Sequence, residues 1–331
     1  GGLNAPFMSI YVPASYEVKG GGKAFAAKLI DMVEKFATDW PDKFAVARSP
    51  ADIIEHFKTE KISLPMGMEN GTPIEGKLDN LRYFYDRGIR YITLAHSKNN
   101  HICDSSYDTK PRWKGLSPFG EKVVAEMNRL GIMIDVSHLS DSTFYQVMAL
   151  SKAPVIASHS SCRHFTPGWE RNMDDDMIKL LASKGGVIHI NFGSSFLKDD
   201  LRKKGETERK ALRKYLRDNE LEPDHPKAQE YIKKYREEHG SGYADISDVV
   251  AHIDHVVSIA GIDHVGLGSD FDGVGDSLPT GLKDVSDYPN LIYELLKKGY
   301  SDDDIQKICS ANLLRVWSKV ERIAEEIQNV E

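Results

Sequence analysis

The sequence predicts an α/β fold, a TIM-like (β/α)8 barrel built as a single domain over residues 1–331. Three observations predict it. Short apolar, β-branched runs recur at 7–12, 62–69, 91–96, 133–138, 154–159, 187–192 and 264–270, most of them uninterrupted, as in strands covered on both faces. Amphipathic segments separate these runs, and strand-helix alternation with short connections implies a parallel sheet. Polar residues close five of the runs (Glu69, His96, His138, His159 and Asp270), the pattern of a barrel with its chemistry on the C-terminal rim. An open, doubly wound sheet would gather its site at one switch point, and no glycine-rich phosphate loop follows an early strand.

The helices carry their own start and stop signals. Ser49-Pro50, Ser117-Pro118 and Asp174-Asp175-Asp176 place capping oxygens, two of them followed by proline in the first turn, before 51–59, 119–130 and 177–184. Glycines at 88, 131 and 185–186 end helices ahead of the next strand. Residues 197–245 leave the alternation: they are densely charged with helical periodicity, which predicts an excursion of solvated helices. The segment 287–323 reads as two or three C-terminal helices, Tyr288–Lys298, Asp302–Cys309 and Ala311–Ile323, packed outside the barrel. Seven strands are counted where a closed barrel needs eight. Because 7–12 abuts Gly1, the expectation is that one strand lies upstream of it, a missed internal strand being the alternative.

Composition excludes several classes. With 40% hydrophobic and 28% charged residues the chain falls in the globular range. A net charge of -7 gives no electrostatic reason to bind nucleic acid or an anionic membrane. No run approaches the roughly 18 apolar residues of a membrane span. Cys103, Cys162 and Cys309 are scattered and odd in number, which predicts buried free thiols in place of a disulfide framework or thiolate metal site.

Asp135-Val136-Ser137-His138 and Ile156-Ala157-Ser158-His159 end consecutive strands with Ser-His. Adjacent strands lie about 4.8 Å apart, so equivalent rim positions can meet on one ion. Glu69 offers a carboxylate at the same height. A lone strand-end histidine is more often structural; the trio Glu69, His138 and His159 favours a metal. Asp272 is expected to be a loop or capping residue and His189 to sit in the core behind the site. His252 and His255, three apart on a charged helix, are expected to face solvent.

Taken in order, Gly67-Met68-Glu69-Asn70-Gly71, Arg90–His96, Gly115–Gly120, Asp135–His138, Pro154–Ser161, Arg171-Asn172 and Val265–Gly273 resemble the motif series of the membrane (renal) dipeptidases, zinc peptidases on amidohydrolase-like barrels. The resemblance runs over nearly the whole chain. It implies hydrolysis of dipeptides, including those with a C-terminal D-residue, by a hydroxide shared between two zinc ions. Carried over, Glu69 would bridge the ions, and His138 and His159 would complete the second. Asp270 would move the proton, His96 would stabilise the oxyanion and Arg171 would clamp the substrate carboxylate. The family also implies a homodimer.

One departure stands out. The resemblance implies a His-x-Asp pair on the first barrel strand as private ligands of the first ion, and none precedes Glu69 here. The absent pair and the uncounted strand point to the same upstream segment. Without that segment the expectation is a one-metal or weakly loaded site of low activity, or a non-catalytic carboxylate-binding barrel. A third reading is another amidohydrolase-like activity on small amides.

Overall fold

A long central strand, β3 (Ile62–Glu69), organises the sheet in the structure, a computed structural model that describes residues 1–222, 225–240 and 242–330. Two short strands pair with different halves of its length. β1 (Met8–Tyr11) pairs in parallel with Met66–Glu69, and β2 (Phe44–Ala47) pairs in parallel with Ile62–Pro65. Opposite β1, β3 takes β4 (Ile89–Thr93), from which the sheet curls through β5 (Met133–Asp135), β6 (Ile156–Ser160), β7 (Val187–Ile190) and β8 (Val265–Leu267), every neighbour parallel. β1 and β8 end the path, and among the described residues no ladder joins them. Helices wrap the outside, as the TIM-like (β/α)8 class requires.

An eighth strand thus lies within the chain, at Phe44–Ala47, and off the curled path. Sequence reading passed over it because it is four residues long, hemmed by Lys43 and Arg48, and mostly half-buried. The strands are also shorter than their apolar runs suggested. β4, β5 and β8 stop at Thr93, Asp135 and Leu267, so His96, His138 and Asp270 each stand three residues beyond a strand end. Glu69 and His159 remain inside strands.

The capping residues form as the sequence implies. Ser49 accepts the amide of Asp52, Ser117 that of Gly120 and Asp174 that of Met177. Gly131 closes the helix Pro118–Leu130 at φ +81, where a side chain would be strained. Gly67 has a packing reason, because a Cβ there would come within 2.0 Å of the Tyr91 ring. The charged excursion is a short helix Ser194–Leu197, then Asp199–Asp218 and Pro226–His239. Tyr215 stacks on Tyr231 at 4.1 Å between the last two. Positions 223, 224 and 241 of that excursion fall outside the described residues.

Two expectations fail. His252 and His255 do not face solvent: the helix Ile246–Ala260 packs inward through Val249, Val250, Ile253 and Val256, and His252 shares that face, fully buried. His252 Nδ1 accepts the Cys162 amide at 3.0 Å and Nε2 meets the Leu197 carbonyl at 3.1 Å, while His255 pairs with Asp175. Cys103 and Cys162 are buried, but Cys309 is exposed, because Ile308 takes the inward position of the π-helical turn Lys307–Ala311. No helix among the described residues is long and apolar enough to cross a membrane.

The C-terminal helix Asn312–Gln328 seals the outside of the sheet. Its buried stripe is Val316, Trp317, Val320, Ile323 and Ala324, and the Trp317 ring meets Phe7 at 5.5 Å, which in turn meets Tyr91 at 5.2 Å. Truncating so large a buried ring leaves a cavity beside β4. Trp317→Ala should cost about 3–5 kcal/mol in urea unfolding; a loss under about 1 kcal/mol would show that this helix is not part of the cooperative core.

Candidate metal centre

Five strand ends deliver polar groups to one mouth. The Nε2 atoms of His96, His138 and His159 each lie 3.4 Å from Glu69 Oε1, and the Nε2 atoms of His138 and His159 are 2.8 Å apart. Glu69 Oε2 turns away to β1, where the Ser9 hydroxyl donates at 2.9 Å. Glu69, His96 and His138 also form a group whose ligand atoms lie within 4.8 Å of one another. Two triads therefore share the Glu69–His138 edge.

The imidazoles differ in how they are held. Ser158 Oγ lies 2.6 Å from His159 Nδ1 and 2.6 Å from Asp135 Oδ2, so that nitrogen is anchored and Nε2 is aimed at Glu69. Asp135 is itself fixed by the Thr93 hydroxyl and by the amides of Ser137 and Ser158. Ser137 Oγ accepts the His159 amide at 3.1 Å. His96 has no partner for Nδ1 and packs against Tyr11 at 4.9 Å, ring to ring, from the open side of the mouth. His138 is set by its backbone: it sits at φ +70, a left-handed conformation costing about 1–3 kcal/mol outside glycine and held by surrounding structure. Asp270 does the same at φ +56.

Electrostatics separate the carboxylates. Burial works against a charged Glu69, yet hydrogen bonds with His138 and His159 hold it well below the ordinary carboxylate range. Burial pushes Asp270 up, and Glu69 nearby adds to the rise; the Asn191 amide donates to its Oδ2 at 2.9 Å. Burial drives His138 well down, helped by the Arg171 guanidinium, and brings His96 to about 4. His159 moves the other way: burial lowers it, but hydrogen bonding to Glu69 and the negative charge of that carboxylate together outweigh the burial.

Arg171 is 2% exposed and reaches into the same mouth. Its Nη1 donates to Ser160 Oγ at 2.9 Å, and its Nη2 donates to the His159 carbonyl at 2.8 Å and lies 3.0 Å from His138 Nε2. It forms no ion pair with a described carboxylate, and Nε has no partner. A buried guanidinium whose hydrogen-bond partners are neutral keeps its full positive charge beside the three imidazoles.

The donor set suits a metal. The Nε2 atoms of His138 and His159 and the Glu69 carboxylate converge within 3.4 Å, a distance that requires a proton or a cation between them. Two imidazoles and a carboxylate with an open position are the ligands of a catalytic zinc-class ion. Sequence reading placed Glu69, His96, His138, His159, Arg171 and Asp270 in this mouth, and the structure gathers all six. It missed Ser9, Asp135, Ser158 and Asn191, which have no metal-ligand spacing to betray them. His189 is buried behind the site with Nδ1 on the Ala157 carbonyl at 3.0 Å, and Asp272 is exposed in the turn beyond.

A parallel barrel with buried histidines, carboxylates and an arginine at its C-terminal rim defines a metal-dependent hydrolase. Comparison narrows the class. The family described as membrane dipeptidase (peptidase family M19) matches residues 1–331, and the chain belongs to it. It is 34% identical over 334 residues to dipeptidase aclJ of Aspergillus oryzae, covering 99% of this chain and 69% of that protein. Among solved structures, the probable dipeptidase PvdM of Pseudomonas aeruginosa aligns with a TM-score of 0.79 and 30% identity, over 94% of this chain and 82% of that one. A metallopeptidase of Rhodobacter sphaeroides, solved with a phosphinate mimic of the dipeptide L-Ala-D-Ala, aligns at 0.77 and 26%, over 96% and 87%. The chain is an enzyme, a metallo-dipeptidase.

The Asp135–Ser158–His159 chain makes a prediction. Groups that orient a ligating histidine are worth about 10–100-fold in metal affinity. Ser158→Ala should lower affinity by that factor in equilibrium dialysis while circular dichroism stays unchanged; wild-type affinity would mean that the serine orients nothing.

Proposed function

We propose that the metal is zinc, held by Glu69, His138 and His159, and that the enzyme cleaves dipeptides, including those with a C-terminal D-residue, with Asp270, His96 and Arg171 acting on the substrate. The observation that carries this reading is the convergence of three Nε2 atoms on Glu69 Oε1, with the unpaired guanidinium of Arg171 alongside. His138 and His159 are assigned as ligands over His96 because their positions are fixed by backbone and by Ser158, whereas His96 stands at the open side. The ligands gathered among the described residues suffice for one ion. Glu69 would be the residue of this set to serve a second ion as well, were one bound.

When bound, zinc supplies Lewis acidity toward the scissile carbonyl and lowers the pKa of water toward about 7. Asp270, raised by burial and steadied by Asn191, takes the proton from the attacking water and delivers it to the departing nitrogen. His96 is neutral at working pH, so its N–H donates to the oxygen that gains charge. Arg171 pairs with the substrate's terminal carboxylate through its guanidinium. Because the clamp reads the carboxylate and not the side chain, it accepts either hand at the terminal residue, in keeping with the L-Ala-D-Ala mimic in the Rhodobacter sphaeroides structure.

Two experiments test these roles. His159→Ala should lose bound zinc and activity together, whereas Asp270→Asn should keep its zinc and lose about 10²–10⁴-fold in kcat; zinc loss from the Asp270 variant would make Asp270 a ligand. Second, L-Ala-D-Ala, its C-terminal amide and a tripeptide should be compared on the wild-type enzyme. Removing the carboxylate should lower kcat/KM by about 10–100-fold, the worth of a charge-assisted hydrogen bond. Cleavage of the amide or tripeptide at the dipeptide rate would remove Arg171 from substrate recognition.

A further inference from the structure

A second cluster of metal-ligating side chains lies away from the mouth. His164 stands in the short turn Arg163–Phe165, Asp175 opens the helix Asp175–Ser183, and His255 sits in the helix Ile246–Ala260. Each offers one ligand atom, and the three atoms lie within 4.8 Å of one another. His255 Nε2 is 2.8 Å from Asp175 Oδ1, and the His164 and His255 rings stack with centroids 4.4 Å apart. We propose that these residues form a divalent-cation site of the class that takes zinc, nickel or cobalt, binding at the outer surface and tying three chain segments together.

The surroundings preorganise the cluster. Cys162 and Phe165, on either side of His164, are both tied to the helix that carries His255: the Cys162 amide donates to His252 Nδ1 at 3.0 Å, and the Phe165 ring packs on His252 at 4.3 Å. Arg163, next to His164 in the chain, is engaged by Asp141 and Asp174, and the Asp175 carboxylate is paired with His255. Ligand atoms of a tetrahedral zinc site stand about 3.4 Å apart, so a small rotation of the exposed His164 completes the set. Imidazole and carboxylate together select a borderline transition metal over calcium or magnesium. Three protein ligands leave a position for water, and on the closed outer surface the ion would act as a cross-link between elements.

Nickel is the probe. The chelator-treated full chain should bind one more equivalent of Ni²⁺ in equilibrium dialysis than a His164→Ala/His255→Gln double variant, and saturating Ni²⁺ should raise Tm by a few degrees more in the wild type. Dipeptidase kcat/KM, restored with zinc, should be equal in the two. If the double variant folds poorly, His164→Ala alone removes a ligand from an exposed position and should weaken the extra equivalent at least tenfold. Equal stoichiometry and affinity in wild type and variants would overturn the proposal. So would loss of the extra ion together with dipeptidase activity, which would place that ion at Glu69 instead.

Discussion

Everything in the mouth depends on keeping Glu69 ionised where water is largely excluded. A buried carboxylate is costly unless hydrogen bonds or opposite charge compensate it. Here burial alone would raise its pKa, and it is overcome by the imidazoles of His138 and His159. The same contact favours a proton on both partners, but burial and then the Arg171 guanidinium keep His138 neutral, while His159 gains affinity for a proton. The cluster thus holds one negative charge, lone pairs pointed inward and a guanidinium on its flank. A divalent cation settles that arrangement better than a proton does, because it meets all the acceptors at once.

The barrel supplies the positions and its loops supply the angles. Only Glu69 and His159 lie within strands; His96, His138 and Asp270 are each carried three residues past a strand end. Overhanging residues need rigid support, and the left-handed backbones of His138 and Asp270 show how it is obtained. Gly268 permits the exit from β8, since a Cβ there would lie 2.3 Å from the Ser158 carbonyl oxygen. The loop after β4 is folded around Asp104, whose carboxylate accepts the amides of Arg112, Trp113 and Gly115. Strain of this kind persists only where the surroundings over-determine the conformation.

Much of this was legible in the sequence, for a physical reason. Strands buried on both faces leave uninterrupted apolar runs, and a polar residue at the end of such a run is conspicuous. Glu69, His138 and His159 were visible that way. Phe44–Ala47 was not, because four half-buried residues beside charges make no run at all. Asp135 and Ser158 were hidden by ordinariness: an aspartate and a serine near strand ends are as common in turns as behind a ligand. His252 and His255 were misjudged from the charge around them, although Val249, Ile253 and Val256 lie on the same helical face and mark the inward side.

In the proposed function it is the arginine that would give the site its selectivity. A metal with a proton carrier will hydrolyse many amides, and nothing in that chemistry measures the length of a peptide. Arg171 would, because its guanidinium is buried beside His138 and His159 and forms no ion pair with a carboxylate among the described residues. Its held contacts are a hydroxyl, a backbone carbonyl and the His138 imidazole, enough to fix its plane but not to neutralise its charge. A substrate whose carboxylate lies one residue from the scissile bond would pair with this guanidinium. A longer peptide would place a neutral amide there and leave the cation unpaired, so discrimination would come from the cost of failing to satisfy a group the fold has already desolvated.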